Sequence, residues 1–137
     1  MDTRNKTRGI RNNNPCNIRR SRDIFSGEIE SNDASFKQFI AIEYGYRAAI
    51  KILHTYFFAY CCRTITDIIF RWAPPGDGNK TNEYIDYVAW RVGVDSAKKI
   101  EWDKEIVLKI VDAMSRMECG FSDKKKIEKG WEMQLKY

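Results

Sequence analysis

Proline is scarce in this 137-residue chain: there are three, Pro15, Pro74 and Pro75. Between residue 16 and the C-terminus, only the Ala73-Pro74-Pro75-Gly76 stretch must therefore halt a helix by proline. Histidine occurs once. His54 falls mid-helix and reads as a structural or solvent-facing side chain. No metal-ligand spacing, nucleotide fingerprint or P-loop occurs, so neither metal nor cofactor is expected. The four cysteines (Cys16, Cys61, Cys62, Cys119) have neither zinc spacing nor the density of a disulfide scaffold. On a helix Cys61 and Cys62 would point about 100° apart, and reduced thiols are expected throughout. Long apolar runs are also missing. The longest, Ile52 to Cys62, is broken by His54 and Thr55 and falls short of the roughly 20 residues of a membrane span. The first six residues are polar, with no hydrophobic core or small-residue cleavage site, so a secretory signal peptide is not expected.

What is present is an ordinary globular composition, 43% hydrophobic and 31% charged, read as one domain over residues 1–137. The net charge is +5. Arg4, Lys6, Arg8, Arg11, Arg19, Arg20 and Arg22 crowd the first 22 residues against Asp2 alone. Residues 1–7 read as a flexible basic arm. Such an arm is a solvated terminus, a nucleic-acid contact, or a hold on an anionic polymer such as a cell wall.

Strand alternation is nearly absent, and the 3.6-residue period dominates after an irregular segment over 8–35. Ile42, Tyr46, Ala49, Ile50, Leu53, Phe57 and Tyr60 predict a helix over 42–60. Thr64 and Asp67 form a capping box for a short helix bearing Ile65, Ile68, Ile69 and Trp72. Thr81 is the expected N-cap of a third helix, ending at Gly93, and Asp103 that of a fourth, ending at Gly120. Ser122 or Asp123 opens a last helix carrying Ile127, Trp131 and Leu135, with Lys124 to Lys126 on its exposed face. The expectation is a mainly α fold of about five helices, with one short hairpin near Phe25 to Phe36.

One position carries chemistry. Val107, Val111 and Met114 step by four and three, and the next step of four is Glu118. A glutamate on a buried face, at a helix C-terminus, is destabilised as an anion by both burial and the helix dipole. Partial neutrality near pH 7 suits it to protonate a glycosidic oxygen. In the alternative, Glu118 tips into solvent. Glu28 and Glu30 lie two apart, share a face if their stretch is a strand, and could serve instead or as a second carboxylate. Glu43, near a helix start, reads as a dipole-complementing charge.

Residues 8–19, R-G-I-R-N-N-N-P-C-N-I-R, resemble the signature of a phage and prophage family of P5-type, virion-associated, lysozyme-like proteins. The resemblance continues through Phe36 to Phe39, Glu43 to Ala48, Arg71 to Pro75, Thr81 to Ile85 and Met117 to Gly120. It implies a lysozyme-like fold and peptidoglycan cleavage as a lytic transglycosylase, muramidase or glucosaminidase. It also implies glycan strands and other virion proteins as partners, and cytoplasmic synthesis before delivery to a virion or the cell wall. A more distant similarity links Asn14 to Arg19 and Phe36 to Phe39 with flagellar and autolysin glucosaminidases. There the catalytic helix end precedes the asparagine loop. Here Ala113 to Gly120 resembles that element at the other end of the chain, implying a circular permutation with Glu118 as the acid. Tyr84 would then orient substrate or stabilise charge, or be a core tyrosine. Asn13, Asn14 and Asn17 would read acetamido groups, or cap turns. Arg19 and Thr81 fall in the matching blocks as binding candidates, and Arg71 and Trp72 would form a groove wall. Cys16 stands where the family has glycine, and a left-handed backbone there would be strained. Two rival readings are a non-catalytic virion or wall-binding protein and a nucleic-acid-binding module. The second is not expected, because the aromatics keep helix-core spacing rather than forming a stacking platform.

Overall fold

A computed structural model of the chain describes residues 7–136. The basic arm expected over residues 1–7 thus lies, Thr7 aside, outside the described residues. The molecule is mainly α-helical, in the order α1 (Arg8–Arg11), β1 (Glu28–Ile29), β2 (Gln38–Phe39), α2 (Ile42–Ala59), α3 (Ile65–Trp72), α4 (Thr81–Val92), α5 (Lys104–Cys119) and α6 (Lys124–Leu135). No described helix is long and apolar enough to cross a membrane.

The apolar stripes read from the sequence become one core. Tyr46, Ile50, Leu53 and Phe57 of α2 meet Ile65 and Ile69 of α3, Val88 of α4, Ile110 and Met114 of α5 and Ile127 of α6. Helix ends follow local chemistry. The side chains of Thr64, Asp103 and Asp123 accept the N–H groups of Asp67, Ile106 and Lys126. Gly93 and Gly120 take the left-handed conformation that closes α4 and α5. Helix α2 closes one residue sooner than expected. Tyr60 leaves the stripe for solvent, and Cys61 takes the left-handed position at φ +56° that glycine usually fills. Cys61 and Cys62 therefore lie beyond the helix, one exposed and one buried.

Three other expectations shift. Thr81 is the first helical residue rather than the cap, and its hydroxyl donates instead to the Ala73 carbonyl (2.6 Å), pinning α4 to the end of α3. The hairpin sits a few residues later, pairing Glu28 with Phe39 and Ile29 with Gln38, with a bridge between Arg19 and Phe36. The segment before it contains α1, too short to show any periodicity. Asp33 fastens it, accepting two bonds from the Arg8 guanidinium (2.6 and 2.8 Å) and one from Asn12 (3.2 Å). With these partners and the Ser35 N–H, the Asp33 carboxyl is held far below the usual range.

Candidate active site

Glu118 occupies the last turn of α5, one step beyond Met114 on the buried stripe, two residues before the left-handed Gly120. The turn is shielded by the asparagine loop from the other end of the chain. Asn17 donates its amide to the Glu118 backbone carbonyl (3.1 Å), closing an open helix-end acceptor, and to Oε1 of the side chain (3.2 Å). Trp72, at the end of α3, donates its indole N–H to Oε2 (3.1 Å), and Tyr84 of α4 its hydroxyl to the same oxygen (2.9 Å).

Burial pushes the Glu118 carboxyl above its usual range, and the bonds from Trp72, Tyr84 and Asn17 and the charge of Arg19 only partly offset it. Burial and the neighbouring carboxylate hold the Tyr84 phenol well above its ordinary value, so it remains an O–H donor. A carboxylate has about four acceptor sites. Both sites of Oε2 are taken, and one of Oε1. The remaining acceptor site, on Oε1, is the place for an exchangeable proton.

The carboxyl lines a cleft of about 320 Å³ whose walls include Asn17, Arg19, Phe36, Tyr56, Trp72 and Asn79. Glu118 is the only carboxylate among the residues lining it. Ile18, Arg19, Ile52 and Tyr56 also line a neighbouring, larger hollow of about 810 Å³, so the two form one groove.

Of the expected binding residues, Asn17, Arg19 and Trp72 stand in the cleft, and Arg71 in the adjoining hollow. Asn13 and Asn14 build the loop instead. Asn13 donates to the Phe39 carbonyl (3.0 Å). Fully buried Asn14 donates to the Ile18 and Lys37 carbonyls and accepts from the Ile18 N–H. The left-handed residues of this loop are Asn13 (φ +52°) and Asn17 (φ +53°), a residue type that tolerates the conformation. Cys16 between them is not left-handed, so the strain expected there is absent, and its buried thiol is pushed well above its usual range. Thr81 is buried against Ala73.

Neither Glu28 nor Glu30 lines the cleft. Glu28 is engaged by Lys37, an almost wholly buried lysine (1% exposed) whose ammonium lies 3.0 Å from both carboxylate oxygens and also donates to the Ser21 and Asp23 carbonyls. Glu30 lies beyond β1 and is exposed. Glu43 bonds Lys126 (3.2 Å), tying α2 to α6.

Sequence reasoning missed Tyr56, Ile52, Phe36 and Asn79 as groove residues. Tyr56 and Ile52 did carry a signal: both are apolar residues off the buried stripe of α2.

No established family model matches the chain. The chain is similar to Protein P5 of Pseudoalteromonas phage PM2, at 38% identity over 117 residues, covering 82% of this chain and 71% of that protein. With that identity over most of both chains, the protein belongs to the family of the phage PM2 protein P5.

Proposed function

We propose that the groove cleaves glycosidic bonds in the glycan strands of peptidoglycan, with Glu118 as the general acid. The observation that carries this reading is a carboxyl that lines an open cleft, is steadied by three donors that leave one acceptor site unused, and is raised by burial. An acid of this kind is most useful when its pKa lies near the working pH. The meeting of Glu118 with the Asn14–Arg19 loop adds support. It restores in space the helix-end and asparagine-loop pairing that the similarity to glucosaminidases implies, across 101 residues of chain.

The protonated Oε1 donates its proton to the glycosidic oxygen as the bond to the anomeric carbon breaks. With Glu28 bound to Lys37 and no other carboxylate lining the cleft, a nucleophile from the substrate completes the step. The 6-hydroxyl of the same sugar attacks the anomeric carbon, its proton returns to Glu118, and a 1,6-anhydro sugar results. This is lytic transglycosylase chemistry. Asn17 and Trp72 position the carboxyl, and Tyr84 stabilises it when it becomes an anion between the two half-steps. In a phage protein the activity would open the wall of the bacterial host.

Digestion of purified peptidoglycan by wild type and Glu118→Gln, with the released fragments weighed by mass spectrometry, tests the reading. Anhydro products from wild type, reduced at least a hundredfold in the variant, are expected. Hydrated ends would replace the transglycosylase step with hydrolysis. Release that survives in the variant, or no release from several walls by wild type, would overturn the role of Glu118.

A further inference from the structure

The larger hollow beside the cleft differs from it in charge. Arg19 stands at the junction and lines both. Further along lie Arg71 and Lys51, with Asp23 as the one acidic side chain among the residues lining the hollow. The guanidinium carbon of Arg71 lies over the Tyr60 ring, 3.6 Å from its centre, and 5.4 Å from that of Tyr56. Arg19 sits 5.7 Å over Phe36. Neither arginine is in an ion pair among the described residues. A guanidinium held over an aromatic ring is pre-ordered, and N–H groups not turned to the ring can donate to a planar oxyanion. Tyr56 marks the boundary, with its ring 6.4 Å from Trp72 on the Glu118 side and Arg71 on the other. Arg71 and Trp72 are consecutive on α3, so the helix turns one toward each compartment.

We infer that this hollow is a subsite for the carboxylate-bearing peptide branches of the glycan, gripped by Arg71 and Arg19 while the sugar chain lies in the Glu118 cleft. The inference rests on the glycan reading above and adds the recognised substituent. It has a consequence for the reaction. Arg19 favours the ionised form of Glu118, so a carboxylate bound against Arg19 would offset that pull and help keep the acid protonated. A strand with its branches in place would therefore be the better substrate as well as the tighter ligand.

The test measures binding by calorimetry on Glu118→Gln protein, which blocks turnover. Three glycan oligomers of equal length are compared: unbranched neutral N-acetylglucosamine oligomers, oligomers bearing acidic peptide branches, and the same with their carboxylates amidated. The acidic oligomer should bind about tenfold tighter than the other two, in keeping with a charge-assisted hydrogen bond. That advantage should shrink in high salt and fall toward unity with Arg71→Gln or, as a second variant, Arg19→Gln. Equal affinity for all three oligomers would overturn the subsite while leaving the glycan reading standing. Binding of none would overturn both. Tighter binding of single-stranded DNA than of the acidic oligomer would reassign the hollow to a phosphate polymer.

Discussion

At Glu118 the proposed role as an acid and stability pull in opposite directions. Burial raises the pKa of its carboxyl in the folded state, whereas in the unfolded chain it titrates in the ordinary glutamate range. Between those two values the native protein holds more proton than the unfolded one, so stability falls as pH rises through that window and then levels off. Glutamine at position 118 does not ionise and lacks this loss. The melting temperature of Glu118→Gln relative to wild type should accordingly climb as pH rises from the ordinary carboxylate range through the raised value, then stay flat. Thermal melts across that range check it. A constant difference would mean that burial does not govern the acid. Lys37 and Glu28 show the opposite arrangement. There a buried cation is matched by a carboxylate and two carbonyls, so the pair shapes the loop and leaves the cleft with one acid.

Among the elements, two helical glycines decide how closely a neighbouring backbone approaches. Gly130 of α6 lies against the α2 backbone: a Cβ there would come within 2.8 Å of the Arg47 nitrogen and 3.1 Å of the Glu43 carbonyl oxygen. A Cβ on Gly45 of α2 would collide with the Asn13 carbonyl oxygen. Alanine normally stabilises a helix by about 1 kcal/mol over glycine, but overpacking costs about 1–3 kcal/mol. Both Gly45→Ala and Gly130→Ala should therefore destabilise the fold in urea titrations. Only Gly45→Ala should also depress peptidoglycan digestion, because it displaces the turn that carries Asn17. Equal activity in the two variants would uncouple that turn from the site.

The same elements show what was legible beforehand. Helices α2 to α6 could be read because each repeats its apolar residues over two or more turns, and each except α2 has a capping side chain or a glycine at one end at least. Helix α1 has four residues and the strands two each, too few for any period to register, so the hairpin was misplaced and α1 unseen. Thr81 looked like a cap by residue type, and only the proximity of Ala73 redirected its hydroxyl. Glu118 was legible by extending a stripe. Its donors Asn17, Trp72 and Tyr84 lie on three other segments, and only the family resemblance singled them out. The cationic hollow was invisible, since Arg19, Lys51 and Arg71 share no spacing along the chain.

For the molecule as a whole, the site is a product of global folding. Its hydrogen bonds to Glu118 span 101, 46 and 34 residues, so no single element holds it. Chains of this size usually unfold in one cooperative step. Loss of glycan binding and loss of helical circular dichroism should share one urea midpoint. An earlier loss of binding would mark the asparagine loop, which is tied to Asp33, Lys37, Phe39 and the end of α5, as a separately melting unit.

The distance along the chain between Asn17 and Glu118 also bears on biosynthesis. A ribosome adding about 5–20 residues per second takes some 5–20 s to pass from one to the other. Throughout that interval the nascent asparagine loop is without its carboxylate. The carboxylate arrives only after α1 to α4 have been made, so a truncated product lacking α5 would lack the proposed acid.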